Sequence, residues 1–361
     1  MLSKQLSQIA VALGCACLIA SAPGCKKDKD DGAKKEPQRT TKAKPVDAAV
    51  KDTVPKAPAK LSGAQVVALM DGVSAVLNPL KPAKLAGFYS DNASYVVKSN
   101  AKTVTGNGKI AGYYRDFMAA FPDMKIDQLL LLVNDQRAVL VYRSRGTNSK
   151  PMMGLKATNK KTDFIGFEHL DFADGRIDRV EAYADNLSFL GQMGVYKGGH
   201  RKYSGKDSPA RIVALAKQTD AERENLGLAT KMKDYFNAKD MTAHAAMYAR
   251  EAVVHDATLT ADQAGLKPIR AAIGAFRKAF PDATISDFKA WSAGDYVTAT
   301  YRLTGTHNGR YARLKLAKTG KRIGVDVATV LKINKGKIER QWVFADAAAL
   351  AHQLGALKLK M

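Results

Sequence analysis

Phe280-Pro281-Asp282 stands where the pattern of this 361-residue chain changes, with helical spacing before it and strand alternation after it. The same tripeptide stands at Phe121-Pro122-Asp123, 159 positions earlier (280 minus 121). At that offset Tyr89 pairs with Tyr248, Gly106 with Gly265, Phe117 with Phe276, Tyr142-Arg143 with Tyr301-Arg302 and Gly146-Thr147 with Gly305-Thr306. Beyond Thr147 the offset becomes 161 (336 minus 175), and Gly175, Ile177, Asp185, Gln192 and Gly194 pair with Gly336, Ile338, Asp346, Gln353 and Gly355. One longer hairpin loop accounts for such a change. The period far exceeds a solenoid unit, so the chain carries two complete domains.

Working outward from Phe280 in the second copy, a capping-box pattern at Thr219 and Glu222 opens an amphipathic helix marked by Leu226, Met232, Tyr235 and Phe236. Ser208-Pro209 reads as an earlier N-cap and first helical position. A short helix is expected over 241–248, a strand over 252–255, and a helix from Gly265 with Ile269, Ile273, Phe276 and Phe280 on one face. After Asp282 come four expected strands, at 285–291, 296–307, 321–333 and 337–344, separated by Gly- and Asn-containing turn signals. Helices followed by a long antiparallel meander make an α+β pattern.

The run Gly265-Leu266-Lys267-Pro268-Ile269, then Phe276, Ala279-Phe280-Pro281-Asp282, Gly305-Thr306-His307, Gly336-Lys337-Ile338, Trp342 and Asp346 resembles the SnoaL-like polyketide cyclase family. That family belongs to the nuclear transport factor 2-like superfamily. The resemblance covers nearly all of residues 220–356 and, more weakly, 62–195. It implies two tandem cone-shaped domains, each with helices packed in a curved antiparallel sheet around a cavity. It does not imply one activity, because the superfold hosts enzymes, binders and dimerisation modules.

The amino terminus has another character. Lys4 precedes an apolar run from Ile9 to Ala20, which is too short to span a bilayer and has the length of a signal-peptide core. Ser21-Ala22-Pro23-Gly24-Cys25 follows, with charge beginning at Lys26. This border resembles a bacterial lipoprotein signal, which implies lipidation of Cys25, although Ala22 stands where the pattern prefers Leu. Ordinary secretion is the alternative. Residues 26–60 carry eleven Lys/Arg and six Asp/Glu and no aromatic residue, a composition expected to form a disordered tether. The expected organisation is therefore a signal at 1–25, a tether at 26–60, a degenerate first domain at 61–195, a linker at 196–207 and a second domain at 208–361. A cell-envelope location, lipid-anchored and facing the periplasm, follows from that reading.

All three cysteines lie at or before position 25, so the domains contain no thiolate site. No local spacing of His, Asp or Glu suggests a metal site, and no motif calls for a cofactor. The net charge is +23, with twenty-five Lys/Arg against fourteen Asp/Glu over 208–361. That excess suits either an anionic partner or a well-solvated surface; no nucleic-acid-binding signature accompanies it.

What the family resemblance implies for chemistry falls on Asp346, the position of an Asp general acid/base, and on His255 and His307, where His is frequent in the family. A carboxylate serves there because an apolar cavity raises its pKa towards neutrality. Asp346 also precedes an Ala-rich helical run, so the other reading is an N-cap, shared with Asp185 in the first copy. The histidines have core or turn roles as alternatives. The first copy has Val96, Asn148 and Glu181 in place of His255, His307 and Trp342, so any ligand cavity is assigned to the second copy. Phe276, Phe280, Trp291, Tyr301 and Trp342 are its candidate wall residues, for a small hydrophobic molecule. The favoured reading is an envelope lipoprotein with a non-enzymatic binding or interaction role, its two domains paired as an intramolecular pseudo-dimer. The alternative is a cyclase-, hydratase- or isomerase-like enzyme using Asp346 and His255.

Overall fold

The computed structural model describes residues 60–99, 102–152 and 154–357. The expected signal, Cys25 and the tether up to residue 59 lie outside these residues. In the first domain, α1 (Gly63–Leu77) starts at a Ser62–Gln65 capping box and buries Val66, Met70, Val73 and Leu77. A 3-10 turn (Pro82–Phe88) leads into β1 (Tyr89–Val97), β2 (Lys102–Thr105) and α2 (Asn107–Ala120). The meander β3 (Lys125–Asn134), β4 (Arg137–Thr147), β5 (Lys161–Ala173) and β6 (Arg176–Tyr183) follows, ending in α3 (Asn186–Gln192). After β7 (Ile212–Leu215) the second domain repeats the plan: α4 (Asp220–Asn237), α5 (Met241–Ala246), β8 (Tyr248–Asp256), β9 (Gln263–Ala264) and α6 (Leu266–Ala279). Its meander is β10 (Thr284–Ala293), β11 (Tyr296–Thr306), β12 (Arg322–Asn334) and β13 (Lys337–Phe344), closed by α7 (Ala347–Gln353). This is a tandem α+β architecture.

The sheets run β2-β1-β6-β5-β4-β3-β7 and β10-β11-β12-β13-β8-β9. They are not purely antiparallel as expected. β1 pairs with β6, and β8 with β13, in parallel, because the chain passes through a helix before the meander brings its last strand back beside the first. A second difference concerns Ser208-Pro209, which starts no helix. The chain there is irregular and then forms β7, which pairs in parallel with β3. The amino-terminal segment assigned to the second domain therefore completes the first domain's sheet. Thr219 and Glu222 do form the capping box of α4.

The recurrent tripeptide has a structural reason. Phe121 and Phe280 are fully buried. Asp123 accepts hydrogen bonds from Thr147 N at 2.6 Å and Thr147 Oγ1 at 2.7 Å. Asp282 receives the same pair from Thr306, both at 2.7 Å. The aspartate pins the far end of the β-hairpin beneath the helix it terminates. Gly146 and Gly305 allow a close approach beside it, since a Cβ would come within 3.2 Å of Met124 Cα in one copy and 3.1 Å of Ala283 Cα in the other. Gly106 and Gly265 recur because they precede α2 and α6 at φ of 98° and 84°, which side chains resist.

An apolar cluster joins the two sheets through the faces opposite their helices. Leu132, Val139 and Phe167 from the first domain meet Trp291, Val330 and Phe344 from the second. Phe167 and Phe344 lie with ring centroids 5.5 Å apart.

Candidate functional site

The second domain encloses a cavity of about 540 Å³. Its apolar wall includes Phe236, Ile269, Phe276, Tyr301, Val327 and Leu350. Strand alternation decides the polar groups. On β8, Val254 and Asp256 face this cavity. His255 points the other way and lies 2.9 Å from Asp262 through Nδ1, with Arg201 on the same carboxylate. His255, the expected acid–base partner of Asp346, therefore does not reach the cavity, and its β8 neighbour Asp256 takes the place. Thr258 secures Asp256 through its N at 2.8 Å and Oγ1 at 2.7 Å.

Trp342 lies beside His255 in the β8–β13 register and shares its outward face, where it packs on the interdomain cluster. Trp291 is buried in that same cluster. Both tryptophans are therefore interface residues and not cavity walls. Phe280 stacks behind Phe276 at 4.9 Å without lining the cavity. His307 is completely buried beyond β11, bonded through Nδ1 to Thr319 Oγ1 at 2.9 Å and packed on Phe280. Of the expected wall residues, Phe276 and Tyr301 line the cavity.

Asp346 does line it, and it is also the N-cap of α7, accepting from Ala348 N at 2.9 Å. Its carboxylate further accepts from Asn186 N at 3.2 Å and Asn186 Nδ2 at 2.8 Å, in the other domain. Asp185 reciprocates. It caps α3 through Leu187 N and Ser188 N, and accepts from Ala347 N at 3.0 Å. Each aspartate so caps the helix of both copies, which explains why both copies have it. Burial, then the neighbouring Asp185, pushes the Asp346 carboxyl up to about 7, against hydrogen bonds that pull it down.

Other polar groups on this cavity were not foreseen. His244 is buried with Nδ1 unpartnered, and burial followed by nearby Arg277 pulls its pKa down to about 4. Arg313 donates from Nε to Thr258 O at 2.6 Å and from Nη1 to Gly199 O at 2.8 Å, leaving a buried Nη2 without a partner. Among the described residues no three His, Cys, Asp or Glu side chains form a metal-binding group.

The first domain has a cavity of its own, about 130 Å³ in volume. Glu168 projects into it from β5 and is 6% exposed. Its Oε1 accepts from Tyr95 Oη at 2.9 Å and Tyr114 Oη at 3.1 Å. Burial pushes the Glu168 carboxyl up, while those two phenols pull it down. Tyr89, Tyr113 and Tyr142 complete the surround. The equivalents of His255 and His307 are absent here, but a different polar set occupies the cone. Its signal was legible: Glu168 interrupts the stripe Phe164, Gly166, Leu170 and Phe172 on one face of β5.

The SnoaL-like polyketide cyclase family model matches residues 67–193 and 227–354, more than two thirds of the chain. The chain belongs to that family, in tandem copies. Solved structures to which the chain is similar include AclR from Streptomyces galilaeus, 20% identical over 38% of this chain and 99% of that one, with a TM-score of 0.35. TsrD from Streptomyces laurentii is 20% identical over 37% of this chain and 98% of its own, at TM-score 0.35. A SnoaL-like polyketide cyclase from Jannaschia sp. CCS1 is 15% identical over 36% of this chain and 92% of its own, at TM-score 0.34. No curated protein shows significant sequence similarity to it.

Proposed function

We propose that this protein is a small-molecule-binding lipoprotein of the bacterial cell envelope, whose second domain holds the ligand and whose two domains act as a covalently linked pseudo-dimer. The observation that carries the reading is the 540 Å³ cavity, apolar over most of its wall, with Asp256, Asp346, His244 and Arg313 at separate points on it. Its volume is that of a drug-sized ligand site, and separated polar groups in an apolar wall fix a ligand's orientation. A non-catalytic role fits the engagement of Asp346 in capping both helices and the direction of His255 away from the cavity.

A screen of apolar small molecules with polar substituents should raise the melting temperature, and Ala272→Phe, which fills the cavity from α6, should abolish the shift while the protein stays folded. Shifts unchanged in that variant would remove the second domain as the site. The second reading is acid–base enzymology, favoured by the Asp346 pKa of about 7 and by Asp256 on the same cavity. Turnover of any bound ligand, lost in Asp256→Asn, would put that reading ahead.

The envelope location rests on the first 25 residues and the cationic segment after them. Labelling with palmitate should mark the protein, and Cys25→Ser should abolish the label and release the protein from membranes. A variant that stays membrane-bound and labelled would overturn the anchor.

A further inference from the structure

We propose that the first domain's cavity is a binding site for a small organic ammonium ion, held by the Glu168 carboxylate inside a cage of tyrosine rings. This inference is independent of the reading of the second domain. No Lys, Arg or His is among the residues lining the cavity, whereas two carboxyl groups, Glu168 and Asp185, are. A buried carboxylate without a cation beside it is costly, and burial pushes the Glu168 carboxyl up, against the hydrogen bonds from Tyr95 and Tyr114. A cation delivered by a ligand supplies the missing partner.

The walls suit that ion. Tyr95, Tyr113 and Tyr114 stand with ring centroids 5.5, 5.7 and 6.0 Å apart, and two of the three pairs are nearly perpendicular, at 80° and 83°. Rings so disposed make a corner that can present both faces and hydroxyls to one ligand, and tyrosine faces attract cations. Tyr142 joins them by lying across Gly166, where a Cβ would collide with its ring. The second copy has Val327 at that position. It also has Thr329 where Glu168 stands, and Val254, Ala272 and Ile273 in place of Tyr95, Tyr113 and Tyr114. Since the same fold is built without the glutamate and three of the tyrosines, the fold does not require them.

Size limits the ligand. An engineered apolar cavity of about 150 Å³ admits benzene, so 130 Å³ admits an alkylammonium with about five or six heavy atoms. At a pH low enough to protonate Glu168, the acid must give up its proton when the cation enters. The carboxyl O–H bond breaks, the proton passes to solvent, and the carboxylate pairs with the ammonium. Below the raised pKa of Glu168, affinity should therefore climb about tenfold per pH unit, with close to one proton released per ligand bound. The titratable groups facing Glu168 are Tyr89 and Tyr95 on β1, Tyr113 and Tyr114 on α2 and Tyr142 on β4, all pushed up by burial and neutral in this range. Asp185 lies on the same cavity, and Lys102 stands 5.9 Å from the Tyr113 ring centroid without lining it.

The test is calorimetric titration of the full chain with tetramethylammonium and with tert-butanol, its neutral counterpart of similar size, in two buffers of different ionisation enthalpy. Saturable binding of the ammonium, weak or no binding of the alcohol, and an affinity that falls as the pH is lowered, with proton release at the acid end, are expected. Glu168→Gln, which keeps an acceptor for Tyr95 and Tyr114, should weaken ammonium binding at least about thirtyfold. Absence of ammonium binding, equal binding of tert-butanol or an unchanged affinity in Glu168→Gln would each overturn the proposal. Should that variant not fold, a pH series on the unaltered protein decides, and an affinity that stays constant as the pH is lowered through the carboxylate range defeats it.

Discussion

Phe344→Ala is expected to destabilise the protein by about 3–5 kcal/mol and to split one unfolding transition into two. Phe344 is completely buried, and its ring meets Phe167 of the other domain at 5.5 Å within a cluster drawn from both sheets. Removing the ring leaves a cavity at the junction, so the loss combines transfer free energy with unfilled space. While the junction is intact, covalent linkage holds the partner sheets at high effective concentration. Once it is weakened, each domain unfolds on its own terms. Urea or thermal unfolding followed by fluorescence would show this, since Trp291 and Trp342 both sit at the junction. A double-mutant cycle with Phe167→Ala should return a coupling of about 0.5–1.5 kcal/mol. A single transition shifted by less than about 1 kcal/mol would mean that the aromatic contact contributes little to holding the domains together.

Asp346→Asn is expected to stabilise the protein at neutral pH and to flatten its dependence on pH between about 4 and 7. The buried Asp346 carboxyl has its folded pKa raised from 3.8 to about 7. The folded state therefore holds this proton more tightly than the unfolded state does. The stabilisation is fully present below the unfolded value and is lost as pH rises through the folded one, which amounts to roughly 4 kcal/mol for a shift of about 3 units. Asparagine keeps an acceptor for Ala348 N and carries no charge. Carboxylates held below their usual range, such as Asp163, which burial raises but Arg143 and Ser204 pull down further, act with the opposite sign at lower pH. The difference between variant and parent isolates Asp346. Urea unfolding at half-unit pH steps measures it, and parallel curves from pH 4 to 7 would show that Asp346 carries no such titration.

The repeat made the architecture readable. Phe-Pro-Asp, Gly-Thr and the paired glycines recur because hairpin pinning, close backbone approach and positive φ each demand a particular residue type locally. Strand positions followed from alternation, and the Asp346 cap from its place before an Ala-rich helix. Which face of a strand lines the cone is a different matter. A one-residue choice on β8 exchanges His255 for Asp256, and sequence periodicity is identical for both choices. Trp291 and Trp342 suited a cavity wall as well as an interface, because burial of aromatic surface stabilises either. Only the packing of sheet against sheet settled that. Glu168 was visible as one acid in an apolar stripe, yet its tyrosine partners are 54 and 73 positions away in sequence. The sequence alone determined two α+β domains, the meander strands of the second and the caps at Thr219 and Asp346, because those depend on local periodicity and backbone conformation. The tertiary structure decided which polar groups meet in a cavity, because that depends on the sidedness of strands and on contacts between residues far apart in the chain.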